Sequence, residues 1–448
     1  MNFTTGVKDG FGRNIELCFD EKISGCGGLS AAVSNLEAFG VLKKILEIAD
    51  AFPQDRRNKP FHSYRDMIRQ RLFALLAGKS DLNDADCLAT DPMFLDTMGR
   101  TRLASAATLC RFEKTVTQEV IDKANEILLE CYIRYSTKHR YVFLDVDNTP
   151  VPLYGKQAEK KFNGHYDCNC YLPLLAFIDG FPVGVFNGTI DGRKALAGQL
   201  ERIVNRIHSR WKKSIIILRA DSGFNSTAII DMCEKLKCYY LIGLAKNKKT
   251  IEKIKELEPL FVKTIERPPL LGGNLISEIG EIDDYQASSW SGPRRIISRN
   301  YRNEKGVEDP RFIQTNIPRK YDGRCGNLWQ LTAEDLYEKV YCQRGLAEQY
   351  NQEFKIQAFG ARASSSTFLT NSWRMILGAF CQLSFVVLRR LVFRKGTQWN
   401  SVTLRRFRDS FVCVSVLARR LKTKTVLYLN PNNVLSPDML RFWRANIP

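Results

Sequence analysis

The chain has 448 residues, 44% of them hydrophobic and 11% aromatic, which suits a globular protein of roughly two to four domains. A formal net charge of +19 favours polyanionic partners, with nucleic acid preferred over an anionic membrane. From residue 341 onward the sequence contains 17 Lys and Arg but only 4 Asp and Glu. The 13 scattered cysteines, with no secretory signal in residues 1–20, argue against a disulfide-bonded secreted protein and lead us to expect a cytoplasmic one. The longest apolar run, Met375–Leu388, falls short of the about 20 residues that span a bilayer, so we expect a buried core helix and no membrane span.

The N-terminal region, residues 1–138, is predicted to be mostly helical. Apolar residues recur at helical spacing in three segments, Leu36–Phe52, Tyr64–Leu76 and Val120–Tyr135. Four basic residues lie between the last two segments: Arg100, Arg102, Arg111 and Lys114. Both a DNA-binding helical region and a helical scaffold with a basic surface fit this pattern, and the residues alone leave the two open.

Residues 139–246 change to strands that alternate with helices. The predicted strands are Arg140–Val146, Leu172–Ile178, Pro182–Ile190, Ser214–Arg219 and Cys238–Leu244, and the predicted helices are Ala195–Trp211 and Thr227–Leu236. Asp179-Gly180 suits a hairpin turn between the second and third strands. Three strands followed by helix–strand units predict an α/β architecture, a mixed sheet covered by helices, in the element order of a ribonuclease-H-like fold.

Acidic residues stand at the ends of two of these strands. Asp145 and Asp147 alternate along the first strand and therefore share a face, and Asp221 closely follows the apolar strand 214–219. If the two strands are neighbours, Asp147 and Asp221 meet at the sheet edge where ligands gather in α/β proteins. Like charges there call for a cation, and carboxylate oxygens suit Mg²⁺ or Mn²⁺ rather than Zn²⁺. Strand-end aspartates also form turns and helix caps, which is the structural alternative.

Two other stretches carry potential ligands or contacts. His165, Cys168 and Cys170 are zinc-binding residue types, but no second Cys or His pair accompanies them, so a zinc site is disfavoured. Residues 247–335 contain short β-like runs and the basic pair Arg294 and Arg295, which we predict to contact DNA.

The stretch 341–355, YCQRGLAEQYNQEFK, carries a polar stripe. In a helix, Tyr341, Arg344, Glu348 and Lys355 stand at offsets 0, 3, 7 and 14 and share one face. A stripe of mixed charge is typical of a surface that meets a charged partner. The alternative is a solvated face with an ion pair between Arg344 and Glu348.

The C-terminal region is predicted to contain a basic amphipathic helix over Leu404–Lys422. Its polar side carries Arg405, Arg406, Arg408, Arg419, Arg420 and Lys422. Such a helix could lie on a membrane surface. Contact with phosphates is favoured because of the acidic residues and the polar stripe upstream.

The spacing Y-(2)-R-(3)-E-(6)-K of residues 341–355 resembles the signature helix of DDE-type insertion-sequence transposases. Asp147-Asn148-Thr149 is similar to the D-x-T of these enzymes, Asp221 to their second aspartate and Glu348 to their glutamate. Residues 163–166 and 171–174 also resemble one branch of the family. The resemblance implies a ribonuclease-H-like catalytic domain in two parts, 139–246 and 336–392. A β-rich insertion, 247–335, would separate them, with a helical N-terminal region, 1–138, and a basic C-terminal region, 393–448.

The expected chemistry is phosphodiester transfer with two metal ions held by Asp147, Asp221 and Glu348. Asp145 is an alternative for the first position, and Glu353 a weaker one for the third. Tyr341, Arg344 and Lys355 are expected to hold DNA phosphates. The resemblance implies nicking at the ends of a mobile element and strand transfer into target DNA, within a homodimeric complex on double-stranded DNA. A ribonuclease-H-like nuclease without strand transfer, and a non-catalytic DNA-binding descendant, remain open.

Overall fold

The structure is a computed structural model, and it describes residues 2–11, 13–18, 20, 22–188, 193–268, 273–288, 290–393, 396–430 and 436–444. The strands are β1 Asn2–Lys8, β2 Asn14–Cys18, β3 Ile23–Ser24, β4 Tyr141–Asn148, β5 Val151–Pro152, β6 Lys161–Asn163, β7 Cys168–Tyr171, β8 Leu174–Ile178, β9 Phe181–Phe186, β10 Ile215–Ala220, β11 Tyr239–Leu244, β12 Phe261–Ile265, β13 Leu275–Tyr285, β14 Arg294–Asn303, β15 Glu308–Thr315, β16 Val416–Arg420 and β17 Thr425–Tyr428.

The helices follow the same chain order. They are α1 Leu29–Ala38, α2 Val41–Leu46, α3 Tyr64–Leu76, α4 Asp84–Leu88, α5 Pro92–Met98, α6 Ala106–Glu113, α7 Gln118–Tyr135, α8 Arg193–Arg210, α9 Thr227–Lys235, α10 Lys248–Lys255, α11 Ala333–Asp335, α12 Gly345–Gln352, α13 Phe368–Val392, α14 Leu404–Phe411 and α15 Ser436–Arg444. The chain divides into two compact units: unit 1 is residues 1–124, 356–360 and 380–448, and unit 2 is residues 125–355 and 361–379.

A large mixed sheet forms the centre of unit 2. Within the described residues it contains nine strands in the order β12-β13-β14-β15-β11-β10-β4-β8-β9. β10 pairs in parallel with β4 and with β11, and the other neighbours are antiparallel. The predicted α/β architecture with a mixed sheet is therefore confirmed, and the region predicted as a β-rich insertion supplies β12 to β15 of this same sheet.

The apolar pattern of residues 139–246 produces the predicted order of strands and helices. β8 and β10 consist mainly of buried apolar residues, as expected of strands covered on both faces. Asp179 and Gly180 join β8 to β9 with φ angles of 51° and 77°, which is the left-handed pair that a tight hairpin turn needs. The predicted third strand, Pro182–Ile190, ends earlier, at Phe186, and its last two residues lie outside the described part of the chain.

The signature stretch is helical with changes of pitch. A π-helical turn, Leu336–Tyr341, and a 3₁₀ turn, Cys342–Arg344, precede α12, and a second π-helical turn, Glu353–Gln357, follows it. The single regular helix expected over 341–355 is thus interrupted at both ends. Such interruptions are frequent at functional sites.

Unit 1 is mainly helical, and two of its predicted helices needed correction. The predicted helix Leu36–Phe52 breaks at Gly40, whose φ of 74° ends α1 and lets α2 begin at a new angle. The predicted helix Leu404–Lys422 stops at Phe411, because the β-branched residues that follow pair as β16 with β17 and β3. Arg408, expected on its polar side, is buried and donates to the backbone carbonyls of Leu75, Leu76 and Gln357.

α13 contains the longest apolar run of the sequence. By length and composition it could cross a membrane, but 89% of its apolar window is buried inside the protein. The prediction of a buried core helix is confirmed.

Candidate active site

Asp147 and Asp221 lie at the same edge of the sheet in unit 2. β4 and β10 are parallel neighbours with Asp145 opposite Arg219. Continuing this register by two residues puts Asp147, near the end of β4, beside Asp221, which directly follows β10. Neighbouring strands are about 4.8 Å apart, so the two residues lie close together at the carboxyl ends of two parallel strands. Oδ1 of Asp221 also accepts from the backbone N–H of Gly223 at 2.8 Å, which is the turn contact expected under the structural alternative.

Asp147 is held by hydrogen bonds in a mostly buried position. Its side chain is 14% exposed. Oδ1 accepts from the backbone N–H of Asn148 at 3.0 Å, and Oδ2 accepts from Nδ2 of Asn351 at 2.8 Å. Burial raises the pKa of Asp147 to about 6; Arg344 opposes this rise, and the negative charges of Asp221 and Glu348 add to it.

Helix α12 brings the third acidic residue to this edge. Glu348 is exposed, and its Oε1 lies 3.6 Å from Nη2 of Arg344, while Nη1 of the same guanidinium lies 3.9 Å from Oδ2 of Asp147. The alternative ion pair between Arg344 and Glu348 is therefore present, but the guanidinium also faces the strand-end carboxylates. Burial lowers the pKa of Arg344, yet Tyr341, Asp147, Asp221 and Glu348 outweigh it and leave that pKa above its ordinary value.

Three acidic residues, Asp147, Asp221 and Glu348, thus lie near one guanidinium at this edge of the sheet. The family model described as "Transposase DDE domain group 1" matches residues 7–446. The chain belongs to the DDE transposase family. No curated protein matches the chain. The match spans nearly all of the sequence, so the predicted membership of the DDE-type transposases is confirmed.

Asp145 of this transposase has a different environment from Asp147. It is 3% exposed, and its two oxygens accept from Nε and Nη2 of Arg219 at 2.6 and 2.7 Å. The third guanidinium nitrogen of Arg219 donates to the carbonyl of Val340 at 2.8 Å. Asp145 is thus satisfied by a buried bidentate ion pair, which argues against its role as the alternative first ligand. Glu353, the weaker alternative for the third position, is also buried.

Tyr341 and Tyr166 add phenol groups to this edge. Burial raises the pKa of Tyr341, which packs on the ring of Tyr337 at 5.7 Å. Burial also raises the pKa of Tyr166, with further contributions from the charges of Asp147 and Asp221. Both phenols therefore stay protonated at neutral pH and can donate hydrogen bonds.

A cavity of about 460 Å³ opens beside Asp221 in unit 2. Among the described residues that line it are Asn148, Asn163, His165, Tyr166, Asn187 and Gln199. Tyr166 belongs to the connection between β6 and β7, a small sheet that periodicity did not predict. Its only signal in the sequence was the resemblance of residues 163–166 to one branch of the family.

The donor set fits a divalent cation that prefers oxygen ligands. Three carboxylates, from Asp147, Asp221 and Glu348, offer only hard oxygen atoms. Two buried amide oxygens beside them, Oδ1 of Asn148 and Oδ1 of Asn351, have no hydrogen-bond partner in the part of the chain that the structure describes. An excess of acceptors over donors is what a cation site requires.

The carboxylates are not drawn together into a finished metal site. Within the described residues, no group of three or more His, Cys, Asp or Glu side chains is arranged to hold an ion, and this includes His165, Cys168 and Cys170. Glu348 has a side chain that is 68% exposed and is turned towards Arg344. Unscreened like charges repel, and the guanidinium of Arg344, which lies near both Asp147 and Glu348, reduces that repulsion.

Two of the predicted DNA-binding arginines face the protein. Arg294 is buried over the ring of Trp290 and donates to Glu234 and Ser291. Arg295 is paired with a carboxylate, that of Glu281, and donates to a backbone carbonyl. Their charge is neutralised inside unit 2, which argues against direct contact with phosphates. Lys355, which is also predicted to bind DNA, differs from these arginines in being only half-buried, so part of its side chain is accessible.

Proposed function

We propose that this transposase nicks the ends of an insertion sequence and transfers the strands to target DNA by chemistry that depends on two divalent cations, Mg²⁺ or Mn²⁺. One observation carries the proposal: Asp147 and Asp221 end neighbouring parallel strands, and the helix that bears Glu348 is linked to Asp147 through Arg344 and Asn351. The family match supports the transposase part, and the acidic residues support the metal-dependent part.

We further propose that the catalytic core of unit 2 has a ribonuclease-H-like fold. Its first five core strands in chain order are β4, β8, β9, β10 and β11, and their spatial order is β9-β8-β4-β10-β11. β4, β10 and β11 are parallel, while β8 runs antiparallel to both of its neighbours. The fold proposal rests on this order, in which the first strand occupies the centre and its carboxyl end carries Asp147.

The residues of the site have separable roles in the proposed reaction. Bound ions would stabilise the negative charge that develops on the attacking and leaving oxygens of a phosphodiester. Asp147, Asp221 and Glu348 would hold these ions as carboxylates. Tyr341 and Lys355 would donate to DNA phosphates beside the scissile bond, and Arg344 would do so once its carboxylate partners are otherwise neutralised.

The proposed partner is double-stranded DNA, both element ends and target, bound by a homodimer in the cytoplasm. The net charge of +19 supports a polyanionic partner. In unit 1, α14 presents the exposed guanidinium groups of Arg405 and Arg406 beside a groove, and these are the contacts we expect there. In unit 2 we place no DNA contact at Arg294 or Arg295.

The proposal is tested with a supercoiled plasmid that carries the DNA flanking the gene on both sides. The full chain should nick it with Mg²⁺ and not with EDTA. Asp147→Asn, Asp221→Asn and Glu348→Gln should each lower nicking by at least about 100-fold, since removing one charge-stabilising group costs about 100- to 1,000-fold. DNA affinity, measured by fluorescence anisotropy, should stay within about twofold. Full nicking by any variant would remove that residue from the site, and no nicking by the unchanged chain would favour the non-catalytic alternative.

Strand transfer is tested separately with a pre-cleaved end and a circular target. Joined products are expected, and they should be absent from the Asp147→Asn reaction. Cutting without joining would favour the ribonuclease-H-like nuclease instead.

A further inference from the structure

Asn351 interrupts the apolar side of helix α12 at the point where the helix meets Asp147. Ala347, four residues before it, and Phe354, three residues after it, are fully buried, and Asn351 itself is 7% exposed. A helix face with this spacing ordinarily carries apolar side chains against the sheet. A buried amide is unfavourable at such a position unless its hydrogen bonds are made.

The described residues satisfy only half of this amide. Nδ2 of Asn351 donates to Oδ2 of Asp147 at 2.8 Å, whereas Oδ1 is buried and has no hydrogen-bond partner among the described residues. A purely structural amide in a core would be expected to use both ends. An unpaired acceptor beside a strand-end carboxylate indicates that a donor, such as an ordered water, belongs there.

The position of Asn351 on the helix relates it to Glu348. The two residues are three apart, so they lie on neighbouring positions of one face. Glu348 reaches Arg344, and Asn351 reaches Asp147 directly. The hydrogen bond from Asn351 therefore fixes the position of α12 along the axis of β4. It thereby also fixes the distance between the carboxylates of Asp147 and Glu348.

We propose that Asn351 is a positioning residue that sets the geometry of the divalent-cation site by orienting the Asp147 carboxylate, with its free Oδ1 accepting from a water molecule of the site. The inference rests on the proposed function and adds a residue that the three-carboxylate pattern does not contain. A hydrogen bond of this kind to a ligating carboxylate ordinarily matters about 10–100-fold in metal affinity.

The role predicts selectivity as well as affinity. Mg²⁺ demands a near-ideal octahedral arrangement, whereas Ca²⁺ accepts six to eight oxygens in a flexible one. Loss of the orienting hydrogen bond should therefore weaken Mg²⁺ binding far more than Ca²⁺ binding. A residue that only fills space would not change the ratio of the two affinities.

The test is isothermal titration calorimetry of the DNA-free full chain with Mg²⁺ alone and with Ca²⁺ alone. Asn351→Leu keeps the γ-branched shape of the side chain and removes the amide, and Gln352→Leu, at an exposed amide next in the chain, is the matched control. We expect Asn351→Leu to lose about 10–100-fold in Mg²⁺ affinity and less than about threefold in Ca²⁺ affinity. Gln352→Leu should bind both ions as the unchanged chain does.

Unchanged Mg²⁺ affinity in Asn351→Leu, or an equal loss for both ions, would overturn the proposal. If the leucine variant does not fold, as judged by circular dichroism, Asn351→Ala carries the same comparison without added bulk. If the proposed function itself is wrong, the result is different: any binding of Mg²⁺ or Ca²⁺ to the unchanged chain should be the same in Asp147→Asn.

Discussion

Asp147 and Asp145 are two residues apart on β4, yet we predict that replacing them with asparagine changes stability in opposite directions. Burial raises the pKa of Asp147 from 3.8 to about 6. A carboxyl group whose pKa is higher in the folded state than in the unfolded state destabilises the folded protein once pH exceeds the lower value. The penalty grows between pH 3.8 and about 6 and is constant above that range.

The size of the effect for Asp147→Asn follows from this shift. A rise of about two pKa units is worth about 3 kcal/mol at pH 8 without metal. Asparagine has one carbonyl oxygen, so either the Asn148 N–H or the Asn351 amide loses its acceptor, at a cost of about 1 kcal/mol. We expect a net gain of about 2 kcal/mol at pH 8, which falls by about 1.4 kcal/mol at pH 5, where the wild-type carboxyl is protonated in the folded state.

Asp145→Asn is the control with the opposite sign. Its carboxylate neutralises the buried guanidinium of Arg219 through two short hydrogen bonds. Removing one partner of a buried ion pair leaves a charge without compensation and costs about 3–5 kcal/mol. The variant should therefore be much less stable than the wild type at pH 8.

Amide hydrogen exchange of β10, in EDTA at pH 8, measures these changes within unit 2. Guanidinium unfolding at pH 8 and pH 5 measures the change in the free energy of unfolding at each pH. Slower exchange is expected for Asp147→Asn and faster exchange for Asp145→Asn. Burial raises the pKa of Asp145 as well, in spite of Arg219, so its expected loss rests on the guanidinium that the substitution would leave without a partner. Faster exchange in both variants would refute the reasoning, because it would mean that the ionised Asp147 stabilises unit 2 through its contacts.

Two further predictions concern residues other than the three proposed metal ligands. Gly243→Ala should lower nicking about 100-fold and leave DNA affinity unchanged. The reason is that a Cβ at this position would lie 2.6 Å from the backbone nitrogen of Ser222 and would displace the neighbouring Asp221. A gel assay measures nicking, and fluorescence anisotropy measures DNA affinity. Asp66→Asn should cost unit 1 about 1–2 kcal/mol at pH 7, because Asp66 closes the capping box of α3 and accepts from Arg100. Burial acts to raise the pKa of Asp66, but these hydrogen bonds outweigh burial, so the pKa lies below its ordinary value. The stability difference between Asp66→Asn and the wild type should therefore vanish as pH falls below about 4. Equal losses of stability at pH 7 and pH 3 in thermal unfolding would contradict this.

The core of unit 2 was predictable because its strands are short runs of mainly apolar residues. β4, β8, β9, β10 and β11 all appear near their predicted positions, with the turn at 179–180 between β8 and β9. Pairing between distant strands was not predictable, since local pattern does not encode which edge receives β15. The sequence therefore showed a β-rich segment after residue 247 but not that it extends the same sheet.

Several arginines that the charge pattern placed at the surface are buried or paired within the protein. Arg408 follows the spacing of the polar side of α14, yet it is buried because three backbone carbonyls accept its donors. Arg294 stacks on Trp290, and Arg295 pairs with Glu281. The aliphatic stem and planar head of arginine make such burial favourable wherever carbonyls or aromatic faces are within reach, and a single sequence carries no signal for this.

The same limit applies to the site itself. Spacing places Arg344, Glu348 and Asn351 on one face of a helix, but only the pairing of β4 with β10 decides that this face meets two strand-end carboxylates. Once it does, the guanidinium becomes the internal counter-charge of the acidic residues, and the amide becomes the donor that orients Asp147. A cation bound as proposed would compete with Arg344 for the same carboxylates, so metal binding would weaken the hold of these carboxylates on Arg344 and leave its guanidinium available to a DNA phosphate.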